Sequence, residues 1–371
     1  MRDDGGVRVD GKEVEVLLAW YDRVARDLPW RRTRDPYGIW VAEVMLQQTQ
    51  VRTVLGYWER WMAALPGVEA LAEASDEVIL KLWEGLGYYR RVRNLRAAAR
   101  VMREQHGGRF PETFEAIWAL PGVGRYTAGA VGSLAFDLAV PVVDGNVMRV
   151  MTRRLAWGGD PRRGRLAARL WVRAAAWVER AVEVGGERAS GRWNQALMEL
   201  GATVCRPRPD CGRCPWAKEC RAHAKGQEQR YPELGRRPGV TQVARVVWVV
   251  QCGEWFWVRQ RPVGVVNGGL WEFPNLELED GEGVAEGWAR EWFGSAVAGV
   301  EAWEVVRHAI TRYRITQRMY RVTLTRRPKG GALEGVWVRG KDLEGLAWVS
   351  AHRRVVGRLA GGRLHIGECT V

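Results

Sequence analysis

Six side chains carry chemistry that their spacing makes specific. Cys205, Cys211, Cys214 and Cys220 fall in one sixteen-residue run with the pattern C-x5-C-x2-C-x5-C. Four thiolates that close together, with Arg206, Arg208, Arg213 and Lys218 among them, can close a small loop around one soft metal centre. Zinc and an iron–sulfur cluster both accept four thiolates, and spacing alone leaves both open. A disulfide pair fits less well, because Met1–Asp10 is polar and charged rather than a secretory signal, and the expected compartment is the cytoplasm. The other two side chains are carboxylates. Glu43 is the only acid in the apolar stretch 39–46 (IWVAEVML), where desolvation would raise its pKa and keep a proton available. Its plainer reading is a carboxylate paired with an arginine such as Arg31. Asp144 follows the extended run 140–143 (VPVV) and precedes a helical stretch. There it would either cap the helix or, favoured by the N-terminal amides, serve as a persistent anion. A proton donor and an anion together are what cleavage of a glycosidic bond requires.

These groups need scaffolds. Apolar residues recur at helical intervals over 14–24, 39–48, 54–64, 76–84, 92–103, 112–119, 125–136 and 165–179, with Gly- or Pro-bearing breaks between. The break at 120–124 (LPGVG) joins two of these helices. Gly122 and Gly124 permit a tight turn, Val123 lies between them, and the next helix starts with free N–H groups beside Arg125. This is the layout of a helix-hairpin-helix, which grips a nucleic-acid backbone without reading bases. A net charge of +14 over 371 residues agrees with a polyanionic partner. No run approaches a membrane span. From 226 to 240 the chain is polar, with Pro232, Gly235 and Pro238, and reads as a linker. Beyond it, 243–250, 255–259 and 313–324 are β-branched or aromatic and partly alternating, and one helix is expected near 283–293. The expected organisation is a flexible segment 1–11, a mainly α domain 12–225, the linker 226–240 and a smaller α/β domain 241–371.

Several stretches taken together resemble the MutY adenine DNA glycosylases of the helix-hairpin-helix, endonuclease III-like superfamily. They are PWR at 29–31, EVMLQQTQV at 43–51, GLGYYRRVRN at 85–94, LPGVGRYTAGAVGSLAF at 120–136, VPVVDGNVMRV at 140–150 and NQALMELGATVC at 194–205. The resemblance covers about 12–225. It implies a two-lobed helical domain, a [4Fe–4S] cluster on the four cysteines, and double-stranded DNA carrying adenine opposite 8-oxoguanine or guanine as substrate. It further implies that adenine is flipped out of the duplex, that Glu43 protonates it, that Asp144 stabilises or captures the sugar carbon with help from Tyr126, and that Asn146 positions the acid. Arg26, Leu28, Trp30, Arg31, Leu46, Val51 and Gln195 match positions lining the adenine pocket. Gln48, Thr49, Leu86 and Tyr88 match those that work into the stack at the opposing base. Where this chain has Tyr126, bifunctional relatives carry a lysine that forms a Schiff base; a phenol does not, so base removal without strand cleavage is expected. The first cysteine gap holds five residues where the family has six.

In the second domain Arg261-Pro262 and NGGLWEFP at 267–274 resemble the MutT-like (Nudix-like) domain of the same family. The stretch 281–294 lacks the glutamate cluster that a hydrolase uses for Mg²⁺, so binding without hydrolysis is expected. The family's 8-oxoguanine contact, a Phe-Ser-His loop, matches Val306-Arg307-His308 here, with only His308 kept. The resemblance implies a monomeric, bacterial-type, nucleoid-associated enzyme. Two other readings remain at this level: a thymine or uracil mismatch glycosylase of the same superfamily, and a DNA-scanning protein without catalysis. Cys252 and Cys369 are expected to be free structural thiols.

Overall fold

The computed structural model describes residues 9–235, 239–278, 285–328 and 334–361. Most of the N-terminal segment 1–11, part of the linker, the start of the stretch 281–294 and Cys369 lie outside the described residues. Cys252 at the end of the first strand is disulfide-bonded, which corrects the expectation of a free thiol there. The chain forms two compact units, one of residues 1–74 with 93–236 and one of residues 75–92 with 237–371. The segment 75–92, which chain order alone assigns to the helical domain, therefore groups with the second unit.

Helices α1 (Gly11–Val24), α2 (Pro36–Leu46), α3 (Val51–Ala64) and α4 (Val68–Glu73) open the chain, followed by α5 (Asp76–Trp83) and α6 (Arg90–Gln105). Then come α7 (Phe114–Trp118), α8 (Arg125–Phe136), α9 (Gly145–Leu155), α10 (Gly164–Gly185), α11 (Ala189–Thr203) and α12 (Arg221–Ala224). Local chemistry sets their starts. Asp10 and Glu13 form a reciprocal capping box on α1. Asp35 accepts from the amides of Tyr37 and Gly38 ahead of Pro36, the first residue of α2. Helix α2 is buried from Tyr37 to Met45, because its apolar residues do not confine themselves to one stripe; it packs on α8 and α3. Helices α1, α9, α10 and α11 close around a second core that includes Leu17, Met151, Leu170 and Leu197. At its centre Trp177, Trp193 and Trp216 meet with ring centroids 5.7–6.4 Å apart, in the tilted and edge-on geometries aromatic quadrupoles favour.

The second unit is built on a mixed sheet of β1 (Thr241–Cys252), β2 (Trp255–Gln260), β3 (Trp271–Glu272), β4 (Asn275–Leu278), β5 (Val297–Ile310), β6 (Tyr313–Leu324) and β7 (Val336–Arg339). The order is β3-β2-β1-β6-β5, with β4 paired to β1 and β7 to β2. Strand β1 runs parallel to β6, from Thr241 opposite Tyr313 to Gln251 opposite Thr323. The unbroken apolar run 246–250 is buried on both faces, as a central strand covered on each side must be. Val247 and Val249 face α14 (Ser350–Gly361), while Val246, Trp248 and Val250 face α13 (Ala285–Phe293). The Glu of the WEFP motif has a structural task. Glu272 is buried and pairs with both Arg259 and Arg261. His352 of α14 accepts from the Phe273 amide through Nδ1 at 3.0 Å. Burial pushes its pKa down to about 3, so the ring stays neutral with its proton on Nε2.

The candidate active site

Three helices and one turn of the first unit converge on Glu43. The acid sits two turns into α2 and is 5 % exposed. Tyr126, the second residue of α8, donates its phenol proton to Glu43 Oε2 at 2.6 Å. The phenol also lies 3.7 Å from Met198 Sδ of α11. Burial is the largest influence on Glu43 and pushes its pKa up to about 7; the Tyr126 hydrogen bond and Arg31 pull the other way, and the charge of Asp144 adds to the rise. Because the phenol occupies Oε2, the proton of a neutral Glu43 resides on Oε1, where a bound base could take it. Burial and the two neighbouring acids hold the phenol of Tyr126 well above its ordinary pKa, so it remains a donor.

Asp144 caps α9, with Oδ1 accepting from the Val147 amide at 2.7 Å and Oδ2 from Asn146 Nδ2 at 2.8 Å. The capping reading is the one these bonds show. Burial nevertheless raises its pKa, against the opposing pull of Val147, Asn146 and Arg149, so the helix terminus tempers desolvation rather than overriding it. Asn146 is itself fixed, its Oδ1 accepting from Arg149 Nη2 at 2.8 Å. Arg149 then reaches the carbonyls of Cys205 at 2.7 Å and Gly201 at 2.9 Å. Gly201 has to be small, because a Cβ there would stand 2.6 Å from the Asn146 Cβ.

The hairpin that delivers Tyr126 follows from two glycines. Gly122 adopts φ +73°, and a Cβ would overlap the Asn94 side chain at 2.4 Å. Gly124 is the N-cap of α8 and supplies no side-chain cap, which leaves the first amides of the helix free for an anion. Val123 is buried, and its amide closes the turn onto the Leu120 carbonyl at 3.1 Å. Arg125 stacks over Trp171 of α10 at 4.2 Å.

Of the residues matched to the adenine pocket, Arg26, Arg31 and Gln195 share one cavity, and the charge of Arg31 acts on Glu43. Leu28 and Trp30 are buried in and beside the turn 29–31, with Trp30 edge-on to Trp58 at 6.0 Å. Leu46 and Val51 are partly buried at the adjoining ends of α2 and α3, while Gln48 is exposed at φ +60° and Thr49 is partly covered. Arg26, Arg31 and Gln195 line a cavity of about 380 Å³ together with Tyr21. Tyr21 donates its phenol proton to Gln195 Oε1. Of the residues matched to the opposing base, Gln48 and Thr49 belong to the first unit and Leu86 and Tyr88 to the second. Tyr88 is exposed at φ +49°, whereas Leu86 is buried beneath the surface. Arg307 is exposed and His308 half-buried, since neighbours on β5 point to opposite faces; the structure does not aim the two at one ligand.

Sequence reasoning missed Glu199 and Met198. Glu199 is fully buried and accepts from Arg26 and Arg31. With Gln195 they occupy positions i, i+3 and i+4 of α11, one helical face, and that spacing was the available signal.

The four cysteines line one small cavity, with Arg153, His223 and Glu228 at its edge. Arg153 is buried, donates to Cys205 Sγ at 3.4 Å, and spends its other donors on the carbonyls of Arg206, Pro207 and Tyr231. Burial pushes Cys211 up to about 11, with the charge of Glu228 and then the neighbouring thiols adding to it, and pushes Cys214 up to about 12 against the Trp216 amide. Such a pocket of convergent thiols fits a cationic metal centre that would deprotonate them. The five-residue first gap still brings Cys205 to the same cavity.

Residues 41–175 match the HhH-GPD superfamily of base excision DNA repair proteins, and residues 245–358 match the NUDIX domain family. The mouse adenine DNA glycosylase is 36% identical over 401 residues, covering 91% of this chain and 76% of its own length. The human adenine DNA glycosylase is 47% identical over 61% of this chain, which spans 42% of that relative. That of Buchnera aphidicola (subsp. Acyrthosiphon pisum) is 31% identical over 72% of this chain and 75% of its own length. Among solved structures, a thermostable thymine-DNA glycosylase superposes with a TM-score of 0.51 at 32% identity, over 57% of this chain and 95% of its own. The helical unit with its hairpin and the Nudix-like sheet thus follow one another on one chain, and the chain belongs to the adenine DNA glycosylases of base excision repair.

Proposed function

We propose that this protein removes adenine mispaired with 8-oxoguanine or guanine from duplex DNA by hydrolysing its N-glycosidic bond, leaving an abasic site. The observation that carries the reading is Glu43: a buried carboxyl with its pKa pushed up to about 7, one oxygen fixed by Tyr126 and the other free. Such a group is a general acid suited to protonating a purine ring at neutral pH. Asp144, held by the amide of Val147 and by Asn146, supplies the counter-charge for the oxocarbenium-like centre that then forms. A base inside a duplex is out of reach of this pair, so the nucleotide is extruded first. The free amides at the start of α8 hold a backbone phosphate, and the excess of arginine supplies further backbone contacts. Position 126 carries a phenol, so no Schiff base forms there and the strand is left uncut.

The cysteine pocket is read as the seat of a [4Fe–4S] cluster, with Cys205, Cys211, Cys214 and Cys220 as ligands. When bound, the cluster would tie the loop 205–220 into a rigid knot. Arg153 and Arg149 fasten that loop to α9 through Cys205.

The superposition with a thymine-DNA glycosylase covers 57% of this chain, whereas the mouse adenine DNA glycosylase aligns over 91% of it; that extent favours adenine over thymine. Duplex oligonucleotides carrying A opposite 8-oxoguanine, A opposite G, T opposite G and U opposite G, incubated and then treated with alkali, test the reading. Cleavage of the adenine strands alone is expected. Cleavage of only the thymine or uracil strands, or of none with DNA binding retained, would replace it. Borohydride added during turnover is expected to trap little covalent adduct.

A further inference from the structure

Glu199 has no place in the chemistry just described, yet it is fully buried and both of its carboxylate oxygens accept hydrogen bonds. Its Oε1 accepts from Arg26 Nε at 2.7 Å; its Oε2 accepts from Arg26 Nη2 at 2.9 Å and Arg31 Nη2 at 2.8 Å. Arg31 is further braced by its bond to the Arg26 carbonyl at 3.1 Å and by the ring of Tyr21 at 5.7 Å. We propose that Glu199 is a positioning residue that ties down Arg31, together with Arg26 beside it, so that the Arg31 guanidinium does not swing onto Glu43 and the acid keeps its proton. The inference rests on the reading of Glu43 as general acid.

The charges around Glu43 make the case. From α8 it meets Tyr126, from the start of α9 Asp144, and from the turn 29–31 Arg31; α3, also packed on α2, brings no charge that moves it, among the described residues. Among the described residues Arg31 is thus the cation that acts on the acid, and its own bonds go to Glu199 and the Arg26 carbonyl. Without the Glu199 charge, Arg26 and Arg31 would be two cations sharing one wall with no anion between them, an arrangement that is costly to keep partly buried. Other acids on the adjoining cavity are already engaged: Asp27 by Arg32, Asp22 by Arg192, and Asp137 by the Arg188 amide. Among the described residues, Glu43 is the carboxyl besides Glu199 whose pKa the charge of Arg31 lowers. An arginine drawn to it would favour its ionised form and remove the proton that the leaving base needs.

The test is the pH dependence of single-turnover adenine excision by the full chain from pH 5.5 to 9. Wild type is expected to lose rate as Glu43 ionises. Glu199→Gln keeps the side chain's shape and removes its charge. Its alkaline limb is expected about one pH unit lower, roughly a tenfold slower rate on that limb. Glu199→Gln combined with Arg31→Gln is expected to return the limb close to the wild-type position, which a purely structural role would not do. A limb unmoved in Glu199→Gln, or equally displaced in the double variant, overturns the proposal. Should circular dichroism show Glu199→Gln unfolded, Arg31→Gln alone decides: its limb is expected above that of wild type, and an unmoved or lowered limb overturns the proposal. A wild type that excises no adenine sinks the general-acid reading and this inference together, whereas a normal wild-type limb with unshifted variants sinks this one only.

Discussion

Replacing Glu43 with Gln should damage catalysis and stabilise the protein, and the two effects share one origin. Gln keeps the size of the side chain and an oxygen to accept from Tyr126, but it carries no proton to give and no charge to bury. In the folded protein the Glu43 carboxyl titrates near 7 against an ordinary 4.5. The folded state therefore holds this proton more tightly than the unfolded chain. The sign follows: the contribution is fully present below about pH 4.5 and is lost as pH rises through 7. The gap corresponds to about 3 kcal/mol at alkaline pH, an order-of-magnitude value that the buried setting leaves undiluted by solvent. Urea unfolding of the first unit, followed by tryptophan fluorescence at pH 5 and pH 8.5, gives the assay. Wild type and Glu43→Gln should be nearly equal at pH 5, and the variant should be more stable at pH 8.5 by up to about 3 kcal/mol. In parallel, excision by the variant should fall by at least roughly a hundredfold, the smaller end of a general acid's contribution, while mismatch binding persists. A stability difference that is the same at both pH values would refute the burial argument, and near-normal excision would remove Glu43 from the proton transfer.

Asp144→Asn should retain DNA binding and lose excision by roughly a hundredfold or more; measured by single-turnover kinetics, a loss within about tenfold (roughly 1.4 kcal/mol) would exclude it from the mechanism. Gly122→Ala forces a side chain into φ +73° and against Asn94, so a loss of about 2 kcal/mol of stability and weaker duplex binding are expected; a variant as stable as wild type would show the turn to be unstrained. Purified protein should absorb near the visible range typical of iron–sulfur centres, and Cys214→Ser should abolish that absorbance; colourless wild-type protein holding zinc instead would overturn the cluster assignment.

Much of the site was readable in the chain because its parts are local. Glu43 stands alone among apolar neighbours, so its burial could be foreseen. Asp144 and Asn146 sit two residues apart, and the hairpin glycines announce the turn that carries Tyr126. What could not be read are the pairs that only folding makes. Arg26 meets Glu199 across 173 positions and Tyr21 meets Gln195 across 174, and no periodicity encodes such a match. Strand β5 escaped notice because register shifts near 297–299 and 302–304 break its alternation, and much of it is exposed on both faces. Helix α14 was missed because its apolar residues are interleaved with arginines and a histidine; their burial is decided by the sheet beneath.

The grouping of residues 75–92 with the second unit bears on how shortened forms of this enzyme should be judged. Glu84 accepts from the Trp348 amide at 2.8 Å, and Lys81 reaches the carbonyls of Glu344 and Leu346 at 2.6 and 2.9 Å. Cutting the chain at the linker would strip those anchors from a segment 264 positions upstream, the one that presents Tyr88. A defect in such a truncated protein would then mix two causes, the missing sheet and an unmoored loop on the part that remains. Ascribing it to lost lesion recognition alone would misread the anatomy.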